Sequence, residues 1–309
     1  MVAFGNVEAS EDGRCGVTQP KRPRGAWRRA AALVVAAAAV APGPVYAAPA
    51  AAPAEPRTPT VVGVAAFDAA VPASGAPSDA TANRALLVLM GFTQTETEPV
   101  VGSTLLLLQV EGANLDADPE QEKVVHLAVT DSTMPGYGHQ THFVAVADRE
   151  AGQLRFVVHE VRLVAEYCCD MRAGGEVVVG HRPVHDAAFD DVVVSHATTS
   201  TESCSHTEDD SGCVGHEEED THDQVWTLAR GRAELLVDWR HAVSHPPVGP
   251  DSKPLKRAQR LQTLYIPTDG DPVGGAKSRW APGGPLQVRV DWPGAPRLLR
   301  FDAKSYAYR

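Results

Sequence analysis

From Asn83 onward, hydrophobic residues occur in short continuous or alternating runs that Gly, Pro and Asp separate about every 10 to 15 residues. The runs are rich in Val, Leu, Phe, Tyr and Trp, which suit the pleated, half-buried surface of a β-sheet. They predict β-strands at residues 85–91, 103–110, 123–130, 141–148, 153–167, 176–180, 191–195, 224–229, 233–239, 260–266, 285–292 and 297–303.

The alternation of side chains indicates strands that bury one face. Residues 286–292 carry Leu, Val and Trp at even positions, with Gln, Arg and Asp between them. The longest run, residues 153–167, changes its buried face near Glu160, which indicates a β-bulge or a strand that passes from a buried to an edge position. No run of ten residues has a convincing helical period. The pattern therefore predicts an all-β domain over residues 83–309, an antiparallel β-sandwich or open barrel.

The first 47 residues are typical of an export signal peptide. A basic segment ends at Arg29, apolar residues follow from Ala30 to Ala41, and small residues around Ala47 suit a cleavage site. This apolar run is too short to cross a bilayer. We therefore expect cleavage near Ala47, no transmembrane span in the mature chain, and a secreted or periplasmic location.

The segment of residues 48–82 differs from the rest of the chain in composition. It contains 13 alanines and six prolines, with few large apolar side chains. Such a composition is typical of a flexible, partly extended tether. The sequence thus predicts a signal peptide at 1–47, a linker at 48–82 and a β-domain at 83–309.

Charge limits the partners of the mature chain. The whole chain has a net charge of −11. Without the first 47 residues, 22 basic and 36 acidic side chains remain, which gives a net charge of −14. Such a surface repels phosphate backbones, so we expect no nucleic-acid partner.

The cysteines predict disulfide bonds in an oxidising compartment. Cys15 leaves with the signal peptide, and the remaining even number favours two bridges. A bridge between adjacent cysteines is strained, so we favour a pairing that joins the end of the strand at 153–167 to the later loop, although all three pairings stay open. The four candidates are Cys168, Cys169, Cys204 and Cys213.

The segment of residues 196–223 is the most unusual stretch, and the sequence predicts a long acidic loop there. It carries four histidines, two cysteines and nine carboxylates, with no Lys or Arg. One interpretation is a site for divalent zinc or copper with His206, His216 and His222 as ligands. The other is a hydrated hairpin tip closed by a disulfide, which is favoured because the Cys-x-His and Cys-x-x-His spacings match no familiar zinc site.

A second acidic stretch, residues 114–122, resembles the beginning of a calcium-binding loop. Acidic or amide side chains stand at every second position from Asn114 to Glu122. However, Pro119 and Val125 occupy the positions where an EF-hand requires Gly and Glu. A hydrated hairpin loop is favoured here, calcium binding in another geometry stays open, and calcium ranks behind zinc and copper.

Catalytic motifs are absent from the sequence, so we expect a binding protein rather than an enzyme. There is no Gly-x-Ser-x-Gly and no His-Glu-x-x-His, and the glycine-rich residues 270–278 depart from a phosphate-binding loop. The first hypothesis is an exported binding protein that holds a divalent metal in the 196–223 loop. The second is a structural module that binds a protein partner of the cell envelope, and the third is a secreted hydrolase with dispersed Asp, Glu and His residues.

Overall fold

A computed structural model describes residues 58–72, 79–98, 103–134, 137–167, 171–202, 216–245, 260–273, 278–290 and 295–309. The helices are α1 (Val64–Ala70), α2 (Ala80–Leu89) and α3 (Gln94–Thr97). The strands are β1 (Thr60–Gly63), β2 (Thr104–Ala113), β3 (Glu122–Met134), β4 (Tyr137–Glu150), β5 (Gln153–Tyr167), β6 (Met171–Arg182), β7 (Asp191–Glu202), β8 (His216–Thr227), β9 (Glu234–His245), β10 (Gln262–Tyr265), β11 (Leu286–Val290), β12 (Arg297–Leu299), β13 (Phe301–Asp302) and β14 (Ala307–Tyr308).

Antiparallel strands dominate the described chain, which confirms the all-β class. The first sheet has the order β1-β5-β4-β3-β2, and the second has the order β6-β7-β8-β9. A third, smaller sheet has the order β10-β11-β12, and β13 pairs with β14. Neighbours along the chain also pair from β2 to β5 and from β6 to β9, so most connections are hairpins.

Helices α1 and α2 cover one face of the first sheet. Phe67 of α1 packs against Phe156 of β5, with ring centroids 5.7 Å apart. Leu86 and Leu87 of α2 join the same buried cluster, which also contains Phe143 of β4. The large apolar side chains on this face of the sheet are therefore buried by helices.

The strand predicted at residues 85–91 is wrong, because most of that segment belongs to α2. The Asp79 side chain caps this helix by accepting a hydrogen bond from the Ala82 amide at 2.8 Å. Its buried positions, Asn83, Leu86, Leu87 and the following Met90, have helical spacing. The sequence did not show this helical period, because Ala85, Val88 and Leu89, which lie between the buried positions, are also hydrophobic.

Secondary structure is present within the segment of residues 48–82. Residues 60–63 form β1, which pairs with β5 and buries Val62, and α1 follows directly. The pairing with β5 supplies backbone hydrogen bonds. The large side chain of Phe67 is fully buried, whereas the neighbouring alanines of α1 have little apolar surface to bury. The predicted signal peptide and the linker up to residue 57 lie outside the described residues.

The other face of the first sheet packs against the second sheet. Val144 and Val146 of β4 share a buried cluster with Val179 of β6 and with Val192 and Val194 of β7. A register shift in β5 between Phe156 and Val158 moves the strand's buried residues from the helix-covered face to this one. The sequence indicated this change of face, and the structure attributes it to an irregularity a few residues before Glu160.

The described parts of the segment 196–223, residues 196–202 and 216–223, are strand, and residues 203–215 of the predicted loop lie outside the described residues. Strand β7 continues to Glu202 and β8 begins at His216, with paired register along both. The acidic run of β8 is compatible with a central strand because β9 supplies cross-strand partners. Glu219 contacts His245 at 3.1 Å, and Asp220 contacts Arg240 at 2.9 Å.

The third sheet lies against the far face of the second sheet. Val225 and Val237 of the second sheet share a buried cluster with Leu286 and Val288 of β11 and with Ile266 after β10. The third sheet thus covers part of the far face of the second sheet. Within the described part of the chain, no helix has the length and apolar character needed to cross a membrane.

Candidate metal centre

Four acidic side chains converge where the β2–β3 connection meets the end of β4. They are Asp116 and Asp118 in the connection, Glu122 at the start of β3, and Asp148 near the end of β4. One carboxylate oxygen from each residue lies within 4.8 Å of those from the other three. Four oxygens at this spacing can contact a single cation, and we call these residues the carboxylate cluster.

The β2–β3 connection is shaped by its own carboxylates. The amide of Asp118 donates to Asp116 Oδ1 at 2.9 Å, and the amide of Glu120 donates to Asp118 Oδ1 at 2.7 Å. Each bond closes a turn over two residues, a local conformation that aspartate favours. These turns bring both aspartates within reach of Glu122.

The register between strands places Glu122 beside Asp148. Lys123 of β3 pairs with Ala147 of β4, so their neighbours Glu122 and Asp148 occupy facing positions of adjacent antiparallel strands. Arg155 of β5 donates to Asp148 Oδ2, with its Nε at 3.1 Å. Among the described ion pairs, this is the one that joins the carboxylate cluster to a basic side chain.

Burial makes the charge of the carboxylate cluster costly. Asp116 and Asp148 are buried, and Glu122 has no exposed surface. Burial raises the pKa of Asp116 above its ordinary value, and the charges of Asp118 and Asp148 raise it further. Burial raises the pKa of Glu122 to about 7, and the charges of Asp116 and Asp118 again add to the effect. Such a group requires a proton or a cation.

One oxygen of Glu122 has no hydrogen-bond partner among the residues that the structure describes. Glu122 Oε2 accepts a hydrogen bond from the Leu115 amide at 2.6 Å, whereas Oε1 is buried without a hydrogen-bond partner. Glu120 of the same connection also has a buried oxygen, Oε2, without a partner. Most buried polar atoms in folded proteins are paired, so an unpaired carboxylate oxygen in this cluster indicates a position for a ligand.

The β2–β3 connection also contacts the second sheet. Asp190, just before β7, donates its amide to the Asn114 carbonyl oxygen at 2.8 Å, and the Asn114 side-chain amide donates to the Ala188 carbonyl oxygen at 3.2 Å. Leu115 is fully buried in the cluster between the two sheets. The carboxylate cluster therefore lies next to a junction between the sheets.

The chemistry of the cluster favours calcium among divalent cations. Calcium binds several carboxylate oxygens at about 2.3–2.6 Å in flexible geometry, and four oxygens that lie within 4.8 Å of one another can reach one such ion. Magnesium requires shorter, nearly octahedral contacts. Zinc and copper prefer imidazole or thiolate ligands, which the carboxylate cluster lacks.

The histidines predicted as metal ligands are only partly described. His222 lies on β8, where its Nδ1 accepts from the Arg162 guanidinium and its Nε2 donates to Asp238 Oδ1 at 2.6 Å. Both ring nitrogens are therefore engaged with protein groups. His206 lies outside the described residues, as does the side chain of His216, so the three-histidine site stays a prediction. The same holds for the disulfides predicted from Cys168, Cys169, Cys204 and Cys213.

Arg162 forms a buried polar network between the two large sheets. Its guanidinium contacts Glu160 Oε2 at 3.1 Å and donates to His222 and to Gln224 of β8. Desolvation lowers the pKa of Arg162 and raises the pKa of Glu160, and the opposite charge of each partner reduces the other's shift. His222 therefore belongs to a network that compensates a buried guanidinium.

Comparison with known proteins finds no matching family model, no similar curated protein and no similar solved structure.

Sequence reasoning found part of the carboxylate cluster and missed the rest. The alternating acids of residues 114–122 included Asp116, Asp118 and Glu122, although calcium ranked behind other metals. Asp148 gave no local signal, since it is simply the last residue of an apolar run. Its participation depends on the pairing of β3 with β4.

Proposed function

We propose that the chain is an exported, non-catalytic binding protein of β-sandwich architecture that holds a calcium ion in the carboxylate cluster. The observation that supports this most directly is Glu122, a fully buried carboxylate with one unpaired oxygen beside three other carboxylates. The other metal candidate from the sequence involves His222, whose ring nitrogens already contact Arg162 and Asp238.

The charge balance of the site favours a bound cation. Four carboxylates face one arginine, Arg155, whose side chain is 41% exposed and therefore partly screened by solvent. A divalent ion would offset most of the remaining negative charge in the buried surroundings where repulsion is strongest. Calcium is the ion whose oxygen ligands and flexible coordination match this set.

The ion has a structural role in this proposal. It would join the β2–β3 connection to the end of β4, and that connection also holds the turn before β7 through Asn114. Calcium would thus stabilise the contact between the two large sheets. Extracellular calcium modules with dissociation constants of about 10⁻⁴–10⁻³ M suit an exported protein.

Calcium titration of the EDTA-treated full chain tests the proposal. We expect one calcium ion per chain, seen by native mass spectrometry and by isothermal titration calorimetry. The Asp118→Asn variant should weaken calcium binding by about tenfold or more, because calcium affinity depends on the number of charged ligands. Asp118 is the least buried member of the cluster, so its replacement perturbs the fold least.

The matched control is Glu150→Gln, which removes the same charge from β4 at an exposed position outside the carboxylate cluster. This variant should bind calcium like the original chain. Equal affinities for Asp118→Asn and Glu150→Gln, or the absence of stoichiometric calcium, would contradict the proposal. Uptake of zinc or copper that disappears in a His206, His216 and His222 triple variant would instead support the histidine site.

A further inference from the structure

A cavity of about 450 Å³ lies on the face of the second sheet that points away from the first. Val177 and Val179 of β6 pack toward the first sheet, so the alternate residues Val178 and Gly180 face the other way. The segment that begins at Leu264 forms the opposite wall. The volume falls within the range of about 300–1,000 Å³ that is usual for small-molecule sites.

The walls of this cavity are largely apolar. Val178 and Val193 line it from the second sheet, and Leu264 and Ile266 line it from the other side. Val178 is 52% exposed, although it lies in the middle of a strand. An exposed apolar side chain beside a concave surface favours an apolar ligand group.

Arg182 provides a positive charge at this cavity. Its guanidinium donates to the Ile266 carbonyl oxygen at 2.5 Å and, among the described residues, it forms no ion pair. Asp271, the nearby acid, accepts hydrogen bonds from the Tyr265 hydroxyl and from the Thr268 amide, each at 2.8 Å. The remaining donors of the partly buried guanidinium are suited to a carboxylate, which arginine binds in a forked geometry.

We propose that this cavity binds a small amphipathic carboxylate, with the carboxylate on Arg182 and an aliphatic or aryl group against Val178, Val193 and Leu264. The site uses none of the residues of the carboxylate cluster. It therefore gives the exported protein a second ligand, independent of calcium. Neutral and cationic molecules with the same apolar group should bind more weakly, because they offer the free donors of the Arg182 guanidinium no carboxylate.

Gly180 allows the cavity to be filled without disturbing the fold. A Cβ atom added at Gly180 meets no other atom within 4 Å, so Gly180→Val places its methyl groups in the cavity, and valine also suits a strand. Gly63→Val is the matched control, since a Cβ there also meets nothing within 4 Å and Gly63 lies in β1, away from the second sheet.

The test is calorimetric titration of the calcium-saturated full chain with octanoate and, separately, with octanol. We expect saturable octanoate binding, with octanol weaker by about 10-fold to 100-fold because it lacks the charge-assisted hydrogen bond. Gly180→Val should abolish octanoate binding, Gly63→Val should preserve it, and Arg182→Met should reduce octanoate affinity to that of octanol.

Three results would overturn the proposal: no saturable octanoate binding, equal affinity for octanoate and octanol, or octanoate binding that survives Gly180→Val. Repeating the titration in EDTA separates the two sites. Octanoate binding that persists without calcium supports an independent cavity whether or not the carboxylate cluster binds calcium.

Discussion

Replacing Glu122 with glutamine should stabilise the calcium-free protein at pH 8 while abolishing its calcium binding. The buried Glu122 carboxylate has a pKa of about 7 in the folded chain, against an ordinary value of 4.5. This difference corresponds to a cost of about 3 kcal/mol for the ionised folded state. Glutamine has nearly the same shape and keeps an oxygen that can accept the Leu115 amide.

The pH dependence of this effect follows from the direction of the Glu122 shift. Between pH 4.5 and about 7, the folded carboxyl retains a proton that the unfolded chain releases. The free energy of unfolding of the calcium-free protein should therefore fall as pH rises through this window. Glu122→Gln lacks this contribution, so the variant should resemble the original chain at pH 4.5 and exceed its stability at pH 8.

Urea denaturation in EDTA at several pH values measures these differences. The same series at calcium concentrations above about 200 times the dissociation constant should reverse the order of stability at pH 8, because only then does calcium binding contribute more than about 3 kcal/mol. Calcium binds only the folded original chain, so it should raise that chain's free energy of unfolding without affecting Glu122→Gln. Glu150→Gln serves again as the control and should behave like the original chain. A Glu122→Gln variant that is destabilised equally at every pH would indicate that the carboxylate is needed for packing, and would argue against a cation site.

Local pattern was sufficient to predict most strands, because alternation of apolar and polar residues is a property of neighbouring positions. It failed for α2, where Leu86 and Leu87 lie within a continuous apolar run that suits a strand and a buried helix equally. It also failed for the first part of β8, residues 216–223, whose acidic side chains disfavour strand structure when considered alone, although it predicted a strand from residue 224. The partners that stabilise them, Arg240 and His245, lie on β9, and sequence does not reveal that pairing.

The sequence likewise predicted those residues of the carboxylate cluster that are close together in the chain, but not the residue that comes from a different strand. Asp116 and Asp118 shape a local turn, so their spacing was visible as a pattern in the sequence. The burial of Glu122 and the approach of Asp148 depend on the register of β3 with β4 and on packing between the sheets. Those contacts distinguish a buried carboxylate cluster from a hydrated loop, and no residue spacing encodes them.

Replacing Arg162 with methionine should destabilise the protein by about 3–5 kcal/mol at pH 7. Arg162 is 7% exposed and lies between the two large sheets, where its guanidinium contacts Glu160. Methionine fills much of the same space but leaves the Glu160 carboxylate buried without its cation. It also removes the donors to His222 and Gln224, whose acceptor atoms lose a partner. Chemical denaturation followed by circular dichroism measures the loss.

A double variant separates charge compensation from packing at this position. In Glu160→Leu with Arg162→Met, no unpaired buried charge remains, so most of the lost stability should return. Arg232→Met is the surface control. Arg232 is 72% exposed in its pair with Glu234, so its replacement should cost less than about 1 kcal/mol. If the double variant were as unstable as the sum of its single variants, the guanidinium would act mainly through its contacts with His222 and Gln224. Recovery would instead show that Arg162 stabilises the sheet interface by neutralising Glu160.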